Sequence, residues 1–298
     1  MKILLLGKDG QVGHELQRSL ASLGEVRAVG RSEADLLDLP SLNALLTAQA
    51  PNIIVNAAAY TAVDKAEADE ATAYKINAEA VGLMADFARQ SGALFVHYST
   101  DYVFDGEKAA AYVEADSTNP QSAYGRSKRA SEELIARSSC DALVFRTCWV
   151  YSVHGRNFVK TILNLAKERE DINVVADQFG APTSAELIAD VTAMAITGYS
   201  LGHLPTCIYH LAAAGETSWH GLATHVVARA LAAGAKLKLS VARIQAIPTE
   251  AYPVAAKRPK NSRLNTAALS SALGLNLPDW KIHVDRTVDL LLRSETAA

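Results

Sequence analysis

The chain has 298 residues, 49% of them hydrophobic and 20% charged, with a formal net charge of −3 at pH 7. That length can bury a substantial core, in one large domain or in a main domain with a smaller companion. The charge gives no global electrostatic case for nucleic acid or an anionic membrane as partner, and no stretch approaches the ~18 apolar residues of a membrane helix.

Apolar strand-like runs alternate with helical spacing through the first half. Ile3–Leu6 opens as a strand, and its apolar run is too short for a secretion signal. Gly7, Gly10 and Gly13 turn it directly into a helix carrying Val12, Leu16 and Leu20 on one face. Val26–Val29, Ile53–Val55, Leu94–Tyr98 and Leu143–Arg146 continue as short buried strands. Leu42, Leu45 and Leu46 have helical spacing, and Thr72–Arg89 and Ser122–Ser138 read as helices. Strict alternation predicts an α/β fold, a Rossmann-type doubly wound parallel sheet. Past Trp149 the rhythm changes to a helix at Phe158–Glu168, an extended run at Ile172–Ala176 and a helix at Glu186–Ile196. Ile208–Ala212 returns as a further strand, and Pro-marked loops follow. The expected division is a dinucleotide-binding domain over 1–150, rejoined by about 184–212, and a smaller substrate-binding lobe mainly from 151–298. Cys140, Cys148 and Cys207 are odd in number without metal-ligand spacing, as expected of reduced thiols in a cytoplasmic protein.

The glycine turn carries the first chemistry. Gly7 permits the tight turn, Gly10 lets backbone approach a pyrophosphate, and Gly13 lets the helix pack on the strand. The helix N-terminus then offers free N–H groups and a favourable dipole to phosphate. At the end of the second strand stand Gly30 and Arg31 in place of an acidic residue. A guanidinium there suits a 2′-phosphate, which favours NADPH over NADH, although Arg31 also reads as a solvated surface side chain. Asp35 either flanks the adenine or serves a turn. Asn56-Ala57-Ala58-Ala59 places small residues at the third strand's end, by a cofactor or simply in the core.

Thr100 ends the Leu94–Tyr98 strand, and Tyr124 and Lys128 are four apart on one helical face. Thr100 would hold a substrate carbonyl beside the Tyr124 phenol. The Lys128 ammonium would lower the phenol's pKa and hydrogen-bond the nicotinamide ribose. Eight histidines add no metal-ligand pairing, and His97 reads as a satisfied core residue. Asp64–Glu70 reads as a helix entrance with a solvated acidic face.

The glycine spacing, the Asn56-Ala-Ala segment and the hydroxyl–Tyr124–Lys128 trio together resemble the extended short-chain dehydrogenase/reductases. Four further segments, Ser99–Gly106, Arg146–Tyr151, Asp177–Thr183 and Arg258–Ser262, are similar to the dTDP-4-dehydrorhamnose reductase family over essentially the whole chain. The resemblance implies reduction of the C4 ketone of dTDP-4-dehydro-L-rhamnose to dTDP-L-rhamnose with NADPH or NADH, a step in supplying cell-surface polysaccharide precursors. It implies cofactor contacts at Gly10, Gln11, Val12, Asp35, Leu36, Ala59, Tyr60, Thr61, Tyr124 and Lys128, and substrate contacts at Thr100, Asp101 and Trp149. Asp101 could accept from sugar hydroxyls or cap a turn, and Trp149 could pack on a deoxysugar or in the core. Gln178 and Arg258 are weaker candidates for the nucleotide diphosphate.

Some members of the family join subunits through carboxylate-bound Mg²⁺. Glu15 and Glu186 match two of those positions, but Leu290 stands at the third with Asp289 beside it. Hard cations want several oxygen ligands, so Mg²⁺ is doubtful and a homodimer stays open. Two rivals remain: an epimerase or dehydratase that returns its hydride, disfavoured by a Thr100-Asp101-Tyr102 loop without a Glu partner, and a non-catalytic subunit with this fold.

Overall fold

Residues 1–296 are described by the computed structural model of the chain. The first half runs β1 (Lys2–Leu6), α1 (Gln11–Leu20), β2 (Glu25–Val29), α2 (Leu39–Gln49), β3 (Ile53–Asn56), α3 (Val63–Ala66), α4 (Glu70–Tyr74), α5 (Ala80–Ser91), β4 (Leu94–Thr100), α6 (Ala123–Ser138) and β5 (Ala142–Thr147). It continues with β6 (Val150–Tyr151), α7 (Phe158–Glu168), β7 (Ile172–Val175), β8 (Phe179–Gly180), β9 (Thr183–Ser184), α8 (Ala185–Ser200) and β10 (Cys207–His210). The last part contains β11 (Thr217–Ser218), α9 (Trp219–Ala232), β12 (Ile244–Ile247), α10 (Ala267–Leu273) and α11 (Trp280–Thr296).

Six strands form the main sheet in the order β10-β5-β4-β3-β1-β2, with every pairing parallel. Successive side chains of each strand enter opposite layers, as the pleat requires. Ile3, Leu5, Val55, Val96 and Phe145 pack with Leu16 and Leu20 of α1 and Ile188 and Ile196 of α8. Leu4, Leu6, Ile54, Phe95 and Val144 pack with Leu42 and Leu46 of α2, Met84 of α5 and Ile135 of α6. Burial on both faces explains why the strands read as continuous apolar runs. From β1 the chain winds outward to β2 and then crosses to β3 on the other side, so the strand order reverses at β1. A crevice opens at such a point, outside the strands' C-terminal ends.

Smaller pairings carry the rest: β7 with β12 and β6 with β9 in parallel, β8 with β11 antiparallel. A strap formed by residues 258–265 ties these pieces to the main domain. The Tyr112 N–H donates to Arg263 O at 2.8 Å, the Phe179 N–H to Lys260 O at 2.9 Å and the Ser262 N–H to Phe179 O at 2.7 Å.

Most elements fall where the sequence places them, and two differ. The helix expected over Thr72–Arg89 is α4 and α5 joined by a π turn at Lys75–Glu79. Its extra residue directs Asn77 inward, where the side chain bonds both backbone groups of Tyr60, accepting at 2.8 Å and donating at 3.0 Å. A π turn of this kind commonly marks a functional region. The returning strand lies at Cys207–His210, slightly earlier than Ile208–Ala212, although the Leu211 N–H still bonds Arg146 O at 2.8 Å.

Candidate active site

At the C-terminal edge of β1, Gly7 has φ +88°, a left-handed conformation that disfavours other residues. A Cβ on Gly13 would lie 1.9 Å from Gly7 O, so α1 packs this closely against the turn only with glycine there. The N-terminus of α1 has no side-chain cap and no acidic residue in its first turn, leaving an uncapped cradle of N–H groups at Gln11 and Val12. Gln11 accepts from Asn157 Nδ2 at 2.9 Å, which ties the cradle to the C-terminal pieces. These features fit a dinucleotide pyrophosphate.

Around the expected adenine end, Arg31 is exposed, with Nε 3.5 Å from Asp35 Oδ2. Asp35 also accepts the Leu37 N–H at 3.0 Å, the turn role that the sequence left open. The Leu36 side chain is buried in the sheet–α2 layer. Ala59 and Thr61 are exposed beyond β3, and Tyr60 is half-buried between them.

Thr100, at the end of β4, lies beside Tyr124 on the first turn of α6, and Lys128 follows one turn further along that helix. Ser122 caps α6 by accepting the Gly125 N–H at 3.1 Å, which places Tyr124 and Lys128 on the first turns. Tyr124 is half-buried, edge-on to Tyr102 at 5.7 Å between ring centroids. Burial raises the Tyr124 phenol well above its ordinary value, Asp101 adds to the rise, and the Thr100 hydroxyl opposes it. The Lys128 amine meets the buried ring of His97, with Nζ 3.0 Å from Nε2. Burial also brings the Lys128 amine down to about 7, against a smaller opposing pull from Glu132. The reason is depth, since Lys128 is almost fully buried and burial penalises its charge.

Asp101 is buried, and its Oδ1 accepts from the Thr100 hydroxyl at 3.0 Å while Oδ2 has no hydrogen-bond partner. Burial raises its carboxyl to about 6, with Ser262 and Thr100 pulling the other way. A carboxyl that titrates higher folded than unfolded stabilises most below its unfolded value, and that stability is lost as pH rises through about 6. Asp101→Asn should therefore raise the melting temperature more at pH 8 than at pH 5. An equal change at both values would show that Asp101 ionises without cost.

Beside Tyr102 lies a cavity of about 380 Å³, lined by Asp64, Phe158, Gln178, Trp219 and Arg258 among others. The aromatic platform differs from expectation. Trp149, strained at φ +48°, stacks on Trp219 at 3.6 Å between ring centroids, and Gly180 packs against the indole, so little of its face is left for a sugar. The indole lining the cavity is Trp219, whose Nε1–H donates to Gln178 Oε1 at 3.1 Å. Asp64 also has a different role from the solvated one expected. Its Oδ2 accepts from Arg258 Nη2 at 2.5 Å and its Oδ1 from the Ala256 N–H at 3.1 Å, while Arg258 Nη1 donates to the Tyr102 hydroxyl at 3.0 Å. Arg258 thus reaches the cavity with its charge already partnered. Only a spatial neighbour, absent from any sequence window, reveals Asp64 and Trp219.

Glu15 and Glu186 do not form a cation cage. Glu15 lies 3.6 Å from Arg18 Nε, Glu186 3.1 Å from Arg286 Nη2, and Asp289 is bound in a bidentate pair by Arg229. Cations within the chain thus occupy these carboxylates, and the residues present do not fit Mg²⁺. Among the described residues no group of three or more acidic, histidine or cysteine side chains could hold a metal.

A parallel sheet reversing at β1, a glycine turn on its C-terminal edge, and Thr100 and Tyr124 packed behind the cavity-lining Tyr102 define a Rossmann-type oxidoreductase scaffold. The RmlD substrate binding domain family matches residues 1–293, and the chain belongs to that family. A dTDP-4-dehydrorhamnose reductase of Burkholderia thailandensis is 50% identical over 296 residues, covering 98% of this chain and 99% of that protein. The crystal structure of a dTDP-4-dehydrorhamnose reductase from Clostridium acetobutylicum superposes with a TM-score of 0.89 at 35% identity, covering 98% of this chain and all of that one. Another from Bacillus anthracis, in complex with NADP, gives 0.85 at 32% identity, covering 96% and 98%.

Proposed function

We propose that this chain reduces the C4 ketone of dTDP-4-dehydro-L-rhamnose to give dTDP-L-rhamnose, with NADPH preferred over NADH. Support comes from the half-identical reductase matched along its whole length and from the NADP-bound relative. The carrying observation is the Tyr124 phenol, whose pKa burial raises, packed edge-on to Tyr102, which lines a cavity together with Trp219 and a half-buried Arg258.

The main sheet, with 184–212 returning to it, holds the dinucleotide. Gly7, Gly10, Gln11, Val12 and Gly13 receive the pyrophosphate, and Ala59, Tyr60 and Thr61 bound the crevice further in. The remaining C-terminal pieces close over the nucleotide sugar. Bound reduced nicotinamide supplies the hydride. Tyr124 gives its proton to the ketone oxygen, and Thr100 orients that oxygen. Lys128 holds the ribose and, when protonated, stabilises the phenolate left behind. Asp101 receives a sugar hydroxyl on its unpartnered Oδ2. Trp149 backs Trp219, which forms the cavity's aromatic wall. Arg258 meets the diphosphate after exchanging Asp64 for it.

No described helix is long and apolar enough to cross a membrane. A cytoplasmic site of action, beside the reduced cofactor pool, suits the free thiols of Cys140, Cys148 and Cys207. A homodimer belongs to the same proposal, and sedimentation tests it directly.

The deciding experiment follows absorbance at 340 nm with synthetic dTDP-4-dehydro-L-rhamnose and each cofactor. Stoichiometric NADPH consumption is expected, and a turnover that leaves NADPH intact overturns the reductase reading. In the same assay Arg31→Ala should raise the KM for NADPH about tenfold while leaving that for NADH unchanged, the size of one lost charge-assisted contact. Equal effects on both cofactors would remove Arg31 from 2′-phosphate recognition.

A further inference from the structure

The buried histidine of β4 sits in a chain whose hydrogen-bond accounting is unusually constrained. The Ala58 N–H donates to Asn56 Oδ1 at 3.1 Å, which fixes the amide orientation and turns Nδ2 outward. Asn56 Nδ2 lies 3.3 Å from His97 Nδ1, and an amide nitrogen can only donate, so Nδ1 accepts. The remaining proton of a neutral imidazole then sits on Nε2. That N–H faces two atoms, Ser131 Oγ at 3.2 Å and Lys128 Nζ at 3.0 Å. Ser131 spends its own proton on Lys128 O at 2.6 Å and so can accept.

A protonated Lys128 would set its N–H groups against the Nε2–H. Reversing the tautomer would only move the clash to Asn56, and reversing the amide would move it to the Ala58 N–H. One arrangement satisfies every contact, with a free lone pair on Nζ.

We propose that His97 is a positioning residue for the reaction: anchored by Asn56 and the Ala58 backbone, it holds Lys128 as a neutral amine in the free enzyme. This rests on the reductase reading for its link to turnover, though not for the tautomer itself. Burial lowers both His97 and Lys128 from their ordinary values, in the same sense. The surroundings of the amine do not reverse this. Glu132, one turn along α6, is already held by Arg146 of β5 and Ser99 of β4. The turn after β4 brings Asp101 and Tyr102, which face Tyr124 and Arg258. From α3 and α4, Glu67 accepts the Ala123 N–H and Glu70 pairs with Arg126. The π turn offers only the neutral Asn77 to Ser127, and α5 packs Gly82 on Leu134.

The chain begins at backbone that borders the cofactor crevice, so it links cofactor seating to the charge of Lys128. The ammonium is the form that stabilises a phenolate, and turnover therefore calls for a proton on this amine.

The test is imidazole ¹⁵N NMR of the unliganded protein, with the His97 signals assigned by their absence in His97→Gln. A neutral ring with its proton on Nε2 from pH 6 to 9 is expected. A proton on Nδ1, or an imidazolium, overturns the proposal. A second readout is kcat/KM for NADPH against pH, which reports groups of the free enzyme. Asn56→Asp accepts from both Ala58 N–H and His97 Nδ1–H, turning Nε2 into an acceptor for the ammonium. Its basic limb should move up by about one pH unit, a tenfold gain on that limb, and His97→Gln should move it the same way. A limb that stays in place while activity merely falls means a structural role and overturns the proposal. Should the wild-type protein consume no NADPH with the ketone, the reductase reading fails, and the ¹⁵N spectrum alone decides the chain.

Discussion

Tyr124→Phe is expected to bind NADPH within about twofold of the wild-type affinity while kcat falls by ~10²–10⁴, the span of a lost general acid. The direction follows from the site's electrostatics. Burial and the neighbouring Asp101 both hold the phenol protonated, with only Thr100 opposing. A reductase needs that state, because the group must arrive with a proton to give. Phenylalanine keeps the ring that packs edge-on to Tyr102 and over the small residues Ala66, Ala73 and Ala123, so the fold should be unaffected. Only the proton is removed, and the oxygen would then form as an unneutralised alkoxide. The loss corresponds to about 3–5 kcal/mol in the barrier. Cofactor fluorescence and the 340 nm assay separate the two effects. Near-normal turnover would take the phenol out of the chemistry, and weakened NADPH binding alone would make Tyr124 a cofactor ligand.

The same electrostatics separate what the chain's order reveals from what only the fold assembles. Hydrophobic periodicity is local, so β1, β3, β4 and β5 are legible as short apolar runs, and Gly7, Gly10 and Gly13 gain meaning from the strand before and the helix after. The trio is legible because Tyr124 and Lys128 share a helical face and Thr100 ends a strand. Burial depth is not local. Lys128 was expected to act as an ammonium on Tyr124, yet its position deep in α6 against β4 gives it His97 as its nearest partner. Asp64 and Arg258 pair across 194 residues, and Trp219 covers the Trp149 face that a sugar was expected to use. No sequence window contains either pair. The π turn at Lys75–Glu79 escapes for another reason: one added residue barely disturbs a helical pattern, although it redirects Asn77 to Tyr60.

A second large effect is expected one turn beyond Lys128. Arg146 of β5 is buried, and its Nε and Nη2 hold Glu132 at 2.9 and 2.7 Å. Its guanidinium also lies over the Phe104 ring at 4.9 Å, and Nη1 donates to Glu114 O at 3.3 Å. Arg146→Met should destabilise the protein by about 3–5 kcal/mol in urea unfolding, because it leaves Glu132 as an unpaired buried charge. The Ser99 hydroxyl, which also donates to Glu132, cannot replace a cation. Removing both charges in Arg146→Met with Glu132→Leu should recover most of the loss, since the pair's attraction largely offsets its own desolvation. Because Ser99 adjoins Thr100, the single variant should also loosen the hydroxyl that orients the ketone, lowering kcat in whatever fraction remains folded. The double variant tests this separately: restored stability with kcat still depressed would mean that the ion pair holds the end of β4 in register for catalysis. A single variant within about 1 kcal/mol of wild type would instead mean that water reaches Glu132, and that the pair is not a closed, desolvated unit.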